Sequence, residues 1–388
     1  MEGQHSLQID ALFLKNFRNY EEAAVPFSPG VNLILGVNGA GKSNIIEAVY
    51  MLSTSKSFRK ASDRRLLRWG AEEYAIRGVF SSQSGGAAHQ GRLEIELGYS
   101  GEAKTLSIGG APENRISSII GRAYAVLYFF EDVYLVSGPP AMRRSYLDLV
   151  LSTVDPLYMD ALQRYLAVLR QKNRYLYECV RLDDDLIDVW NEQLAEYGGY
   201  VLHKRLFLVD FINVFLESTT GGKAGFEIPC RVLYRSSVRN PDGMRSAQEL
   251  RDCFRDELTR KRERETVLRR ALYGPHRDDF SFSDGRREVR HFASIGEARL
   301  SSIVLKLAQA KFYGKIRNVV PILLFDDIFL ELDEKNLRKV ILLLGEESQK
   351  IITTTEKEKL PEIFRCERVF HVEQGGMVKW EGVNGSSH

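Results

Sequence analysis

The residues best suited to chemistry are Gly36, Val37, Asn38, Gly39, Ala40, Gly41, Lys42 and Ser43. They follow the pattern G-x-x-x-x-G-K-[ST], a phosphate-binding loop. Its glycines let backbone N–H groups close around phosphate oxygens, and the helix that follows points its positive dipole end at the same place. Lys42 is expected to reach the β- and γ-phosphates, and the Ser43 hydroxyl to bind Mg²⁺. The competing explanation is a ligand-free glycine turn before a helix. The flanks argue against it, because residues 31–35 read as a buried strand and residues 44–52 carry apolar side chains at helical spacing.

Four later features narrow the chemistry. Ile322, Leu323, Leu324 and Phe325 form an apolar run that ends in Asp326 and Asp327. Such a strand would carry Asp326 to the magnesium beside Ser43. Asp327 would then orient or deprotonate an attacking water. The same pair would also suit a helix cap after a strand. Ser294, Gly296 and Glu297 precede a helix over about 300–313 and read as a second anion site at a helix start. Ser294 with Glu297 three residues on is equally a capping box, and both roles are compatible. The stretch resembles the signature motif of ABC-type ATPases. Glu331, Leu332 and Asp333 resemble the D-loop of that family. Thr353, Thr354 and Thr355 follow a short apolar strand, where a residue sensing the γ-phosphate is expected; Thr354 is the candidate. Transporter-type ABC domains usually place His there, so the triple Thr points away from transporters.

These residues need elements to hold them. Residues 7–17 read as a strand, and 74–80, 92–99 and 104–108 alternate with period two, as in an antiparallel meander. Residues 146–154, 158–179, 184–217 and 246–272 carry apolar residues at helical spacing. Strand and helix alternate again from 319, and 368–372 with 377–380 form a hairpin. The fold expected is α/β: an ABC-type ATPase head with a mixed-sheet lobe, an inserted mostly α-helical lobe and no coiled coil. The lobes expected are 1–134 with the phosphate loop, 135–317 with the signature, and 318–388 returning to the first lobe.

Composition leaves that picture room. The chain has 388 residues, 44% apolar and 27% charged, ordinary for a soluble globular protein with a large core. A net charge of +2 identifies no partner, so a nucleic-acid surface must come from local clusters. Candidates are Lys56, Arg59, Lys60, Arg64 and Arg65; Arg143 and Arg144; and the run 260–264. Each also suits a solvated face. Cys179, Cys230, Cys253 and Cys366 are isolated, which fits reduced thiols. Residues 1–10 lack the apolar core of a signal peptide, and no run is long enough to span a membrane. A cytoplasmic location is expected.

The ordered set of motifs resembles the RecF family of bacterial DNA replication and repair proteins, related to SMC heads. The segments that carry this are Leu14 to Tyr20, the phosphate loop, Ser55 to Arg59, Glu131 to Asp148, Arg170 to Asn173 and, most specifically, Gly274 to Asp279. The signature, Asp326-Asp327, 331–333 and the triple Thr complete it. Ala298 departs from the Gln or Arg usual in that family, no Q-loop Gln is evident near Glu131, and 221–272 match least well. The resemblance implies that ATP and Mg²⁺ bind, and that Arg18, Arg59, Asp333 and Thr354 contact the nucleotide. It implies an ATP-dependent homodimer, in which the signature of one copy closes on the nucleotide of another. It further implies binding to duplex, gapped or junction DNA, RecR and RecO as partners, help in loading a recombinase, and weak DNA-dependent ATP hydrolysis as a switch. The alternative is the nucleotide-binding subunit of a transporter. An SMC-type structural ATPase would need far more coiled coil.

Overall fold

The computed structural model describes residues 4–83, 91–101, 103–220, 231–238, 246–283, 288–292, 294–327, 334–345, 347–355, 365–373 and 378–382. In chain order, β1 (His5–Phe17), β2 (Tyr20–Pro26) and β3 (Val31–Leu35) lead into α1 (Lys42–Thr54) and the short α2 (Asp63–Leu66). Then come β4 (Glu73–Gln83), β5 (Arg92–Ser100), β6 (Ala103–Ile108), β7 (Ala111–Pro112) and β8 (Ala125–Tyr128). A helical stretch follows: α3 (Tyr134–Ser137), α4 (Pro140–Val154), α5 (Pro156–Glu178) and α6 (Asp184–Thr220). It continues through β9 (Arg231–Arg235), α7 (Ala247–Val267), β10 (Asp279–Ser283) and α8 (Ile295–Arg317). β11 (Val319–Val320), β12 (Ile322–Asp326), α9 (Glu334–Leu344), β13 (Lys350–Thr354), β14 (Cys366–Val372) and β15 (Val378–Gly382) come last.

The chain divides into two compact units. One comprises Met1–Asp132 with Ser302–His388, the other Val133–Ser301. In the first, among the described residues, one sheet has the order β15-β14-β3-β13-β12-β8. Its inner neighbours β14, β3, β13, β12 and β8 all pair in parallel. Strands buried on both faces need continuous apolar runs. Leu33 and Ile34 in β3, Ile322 to Phe325 in β12 and Ile351 and Ile352 in β13 supply them. α1 packs against β12, β8 and β13 of this sheet and also against β4 and β5, and it buries Ile45, Ile46, Val49 and Leu52.

The other sheet of this unit has the order β11-β1-β4-β5-β6-β7, with β2 also on β1. β4, β5 and β6 form the antiparallel meander that period-two alternation predicts. The pairing of β1 with β4 slips between Ile9 and Ala11. Ile9 stays in register with Phe80, and its backbone groups bond to the buried Gln349. Its N–H donates to Gln349 Oε1 at 2.8 Å, and Gln349 Nε2 donates to its carbonyl at 2.9 Å. Gln349 thereby ties the slipped strand to the start of β13 without leaving a buried backbone group unpaired.

In the second unit α5, α6 and α7 pack around Tyr165, Leu194, Leu202, Leu250, Phe254 and Leu258. Their starts are capped as the sequence implies. Asp155 accepts from the N–H groups of Leu157 and Tyr158, ahead of Pro156 at the first helical position. Ser246 and Glu249 form a capping box at α7. The carboxylates 183–185 act as a helix start, with Asp183 Oδ1 accepting from the N–H groups of Asp185 and Leu186. β9 precedes α7, and residues 221–230 lie outside those described.

Candidate functional site

The phosphate loop leaves the carboxyl end of β3, and its conformation depends on glycine at two points. Gly41 has φ 119°, and a Cβ there would meet Asn19 Nδ2 at 2.5 Å. A Cβ on Gly36 would meet the backbone oxygen of Val372 at 2.5 Å. Val37, Asn38 and Gly39 are exposed. The Lys42 ammonium, on a largely buried side chain, donates to the carbonyls of Gly36 at 2.9 Å and Val37 at 3.3 Å. It therefore lies across the loop's mouth, and Ser43 sits one residue into α1. Ala40 is buried beneath.

Parallel pairing brings the carboxylates to the same edge. Leu35, the last residue of β3, is in register with Thr354, and Thr353 with Asp326. The loop and Asp326 thus leave the carboxyl ends of strands separated by β13 alone, where open α/β sheets bind ligands. Thr353 joins the two carboxylate positions. Its hydroxyl donates to Asp326 Oδ1 at 3.0 Å and accepts from the N–H of Asp327 at 3.0 Å. Asp327 has φ 52°, a left-handed conformation that a non-glycine residue holds only when its surroundings enforce it. Successive strand residues face opposite sides of a sheet, so the hydroxyl on the Asp326 side belongs to Thr353, and the expected sensor Thr354 is buried one residue on. Asp333 and the rest of 331–333 lie outside the described residues.

A polar brace behind the loop is where Arg18 and Arg59 fall. Glu47 on α1 is 0% exposed. The Arg18 guanidinium grips it with two bonds of 2.9 and 2.8 Å, and Ser57 Oγ donates to it at 2.5 Å. Arg59 lies 3.9 Å from Glu47 and donates to Asn44 Oδ1 at 3.0 Å. Asn44 Nδ2 donates to Asn19 Oδ1, and Asn19 Nδ2 to the Ala40 carbonyl, both at 2.7 Å. Tyr20 adds a bond to the Gly41 carbonyl at 3.1 Å. The segments 16–20 and 55–59 therefore meet on one buried carboxylate and hold the loop from behind. Reading the sequence misses Asn19, Tyr20, Asn44, Glu47 and Ser57. Glu47 carried a signal, a carboxylate inside the apolar stretch Ile45, Ile46, Ala48, Val49, which demands a buried cation.

The start of α8 realises the capping box. Glu297 Oε2 accepts from the Ser294 N–H at 2.8 Å, and Ser294 Oγ accepts from the Glu297 N–H at 3.2 Å. Ser294, Gly296 and Glu297 are nevertheless exposed, and a Cβ on Gly296 would meet nothing within 4 Å. Near the expected Q-loop, Asp132 is buried and Lys306 lies 2.9 Å from it. Burial pushes its carboxyl up, and the Lys306 charge opposes that.

One of the three basic clusters is tied up within the fold, and a second is so in part. Arg143 is 1% exposed, with both arms on Asp279 at 2.6 and 2.9 Å and a third bond to the Gly138 carbonyl. Arg144 donates to the Asp278 carbonyl at 2.9 Å. This corrects the phosphate-binding expectation for Arg143 and Arg144: the pair fastens α4 to the 274–279 segment. In the run 260–264, Arg260 pairs with Glu257, and Arg262 with Asp188 across to α6. That run includes cations already neutralised within the helical unit.

The 274–279 segment is itself a structural knot. Asp278 is buried and accepts from the Ser237 N–H, the Ser237 hydroxyl and the Tyr234 hydroxyl at 2.7 to 2.8 Å. Burial drives its carboxyl above the usual range, and these donors oppose the rise. His276 shares a 2.5 Å bond with the Tyr165 hydroxyl, and burial lowers its pKa to about 4, so the imidazole is neutral at physiological pH. Arg205, 2% exposed, spans Asp148 and the Pro275 carbonyl at 2.7 Å each.

The family model described as the RecF/RecN/SMC N terminal domain matches residues 8–378. The DNA replication and repair protein RecF of Halalkalibacterium halodurans is 32% identical over 96% of this chain and 100% of its own length. The chain belongs to the RecF family. RecF of Moorella thermoacetica is 35% identical over 92% of each chain. A solved structure described as the recombination mediator protein RecF-ATP in the RecFOR pathway superposes with a TM-score of 0.86 at 27% identity, covering 98% of this chain and 99% of that one. The fold is thus the ATPase head shared by RecF and SMC heads, and RecF membership does not favour the transporter alternative. Among the described residues no helix is long and apolar enough to cross a membrane.

Proposed function

We propose that this chain is an ATP-gated DNA-binding protein of recombinational repair and replication restart. The observation that carries the reading is the shared edge of β3, β13 and β12, where the glycine loop, Thr353 and the Asp326-Asp327 pair lie in register. The residues there fit a nucleoside triphosphate with its magnesium. Loop N–H groups and Lys42 would hold the phosphates; Ser43 and Asp326 would hold Mg²⁺, which neutralises phosphate charge when bound. Asp327, its backbone fixed by Thr353, would orient the attacking water. Arg18 and Arg59 would act through the brace on Glu47, and contact the nucleotide only on leaving it.

The second half of the site comes from another copy. The exposed start of α8, with Ser294, Gly296 and Glu297, would close on the γ-phosphate held by a partner, with Asp333 and Thr354 completing the contact. A ligand touching both copies stabilises only the pair. Slow hydrolysis then releases it from duplex or gapped DNA. The relatives are DNA replication and repair proteins, which supports a role in repair, and the place of the solved neighbour in the RecFOR pathway supports RecR and RecO as partners that help load a recombinase.

The test is DNA binding by fluorescence anisotropy, on duplex, gapped and single-stranded DNA, with and without ATP and Mg²⁺, across salt. ATP should tighten binding roughly tenfold or more, and affinity should fall steeply with salt as phosphates release counterions. Binding that is indifferent to ATP, or absent on every DNA, overturns the proposal.

A further inference from the structure

The basic segment 56–65 leads to an indole held out into water. Trp69 is 98% exposed. Burying an aromatic side chain of this size is strongly favourable, so one left wholly in water is open to a partner. Its backbone is not loose. The Arg68 N–H donates to the Asn16 carbonyl at 2.9 Å, the Arg18 N–H to the Leu66 carbonyl at 2.7 Å, and the Ala71 N–H to the Arg68 carbonyl at 3.0 Å. Leu67 bridges to Phe17, and Gly70 turns the chain with φ 83°. The turn is thus anchored on both sides of Trp69 to the same 16–18 segment that braces the phosphate loop.

Charge along this segment is uneven. Lys56, Lys60, Arg64 and Arg65 are exposed, and among the described residues their side chains have no ion pair. Asp63 is already taken by Lys104 at 2.8 Å and the Tyr74 hydroxyl at 2.6 Å. Arg68 pairs with Glu21 at 2.9 Å, and Glu73, beyond the turn with Glu72, faces Lys15 at 3.5 Å. Unspent cations on the segment that leads to a presented aromatic ring match a polyanion that also offers flat rings. A closed duplex covers its base faces by stacking; a gap edge or single strand exposes them.

We infer that Trp69 stacks on an unpaired base at the edge of a single-stranded gap, while Lys56, Lys60, Arg64 and Arg65 contact the adjoining phosphates. This rests on the DNA-binding reading above and deepens it, because it ties binding at a gap to one side chain. Phosphate contacts position a protein without distinguishing gapped from intact DNA, whereas a stacked base is available only at the gap.

The experiment compares wild type, Trp69→Ala and Trp69→Phe in the presence of ATP. The probes are a gapped duplex with 2-aminopurine at the gap edge and a duplex closed by hairpins at both ends. Wild type should quench the 2-aminopurine and prefer the gapped DNA. Trp69→Ala should lose the quenching and bind gapped DNA roughly tenfold more weakly, with the closed duplex unchanged. Trp69→Phe should keep most of both. The position is exposed, so an unchanged melting temperature checks the fold. Gap preference and quenching that survive in Trp69→Ala overturn the inference alone. Equal weakening on both DNAs also overturns it, as does unchanged DNA binding with loss of a protein partner. Wild type that binds neither DNA overturns the DNA-binding reading and the inference together.

Discussion

Lys42→Ala will abolish ATP binding at concentrations that saturate the wild type, and with it every ATP-dependent gain in DNA affinity. The ammonium stands across the loop's mouth on the Gly36 and Val37 carbonyls, where a triphosphate would draw it onto two charged oxygens. Hydrogen bonds to charged groups contribute about 1.5–3 kcal/mol each, so losing two weakens ATP roughly 10²–10⁴-fold. A thermal-shift titration reads this directly. At 100 times the wild-type Kd, ATP should stabilise the wild type by about 2.7 kcal/mol, and the variant by about 0.4 kcal/mol at most. An equal shift in both would remove Lys42 from the phosphate site. The brace from Asn19 and Tyr20 holds the loop independently of Lys42, so the ligand-free variant should melt near the wild type.

Lys172→Met will destabilise the helical unit by about 3–5 kcal/mol, the cost of breaking a buried ion pair by removing one partner. Lys172 is 0% exposed, and its ammonium donates to Glu265 at 2.5 Å and Asn191 at 2.6 Å. Burial lowers its pKa, and Glu265 opposes that shift. Without Lys172, the Glu265 carboxylate keeps, among the described residues, only the Leu272 N–H at 2.7 Å on its other oxygen. Adding Glu265→Leu should recover most of the loss, since an apolar replacement of the whole pair is often neutral. Hydrogen exchange on α5, α6 and α7 measures both variants. Unchanged protection in Lys172→Met would show that water or rearrangement already satisfies Glu265.

The pattern of these residues explains what the sequence discloses. Loop, strand β12 and helix α1 are local events with strong periodic signals, so their type and order are readable. The meander is readable for the same reason. The brace on Glu47 is not, because it joins residues 18, 47, 57 and 59 through the fold, and spacing does not encode which cation meets which carboxylate. The same limit explains Arg143. In sequence Arg143-Arg144 looks like a phosphate clamp, but its carboxylate partner Asp279 lies far along the chain. The Thr triple shows a finer limit. Its position after a strand is visible, whereas the register that gives Thr353 to Asp326 comes from the sheet.

The central claim, that ATP closes two copies of this chain through the start of α8, is tested most directly by molar mass. Light scattering with a slowly hydrolysed ATP analogue and Mg²⁺ should give twice 44.2 kDa for the wild type. Ser294→Arg, at an exposed position, should bind the analogue yet remain at 44.2 kDa. Losing the cap costs only about 1 kcal/mol, so the variant should fold. A wild type that stays at the single-chain mass, or a Ser294→Arg variant that doubles, would contradict the account.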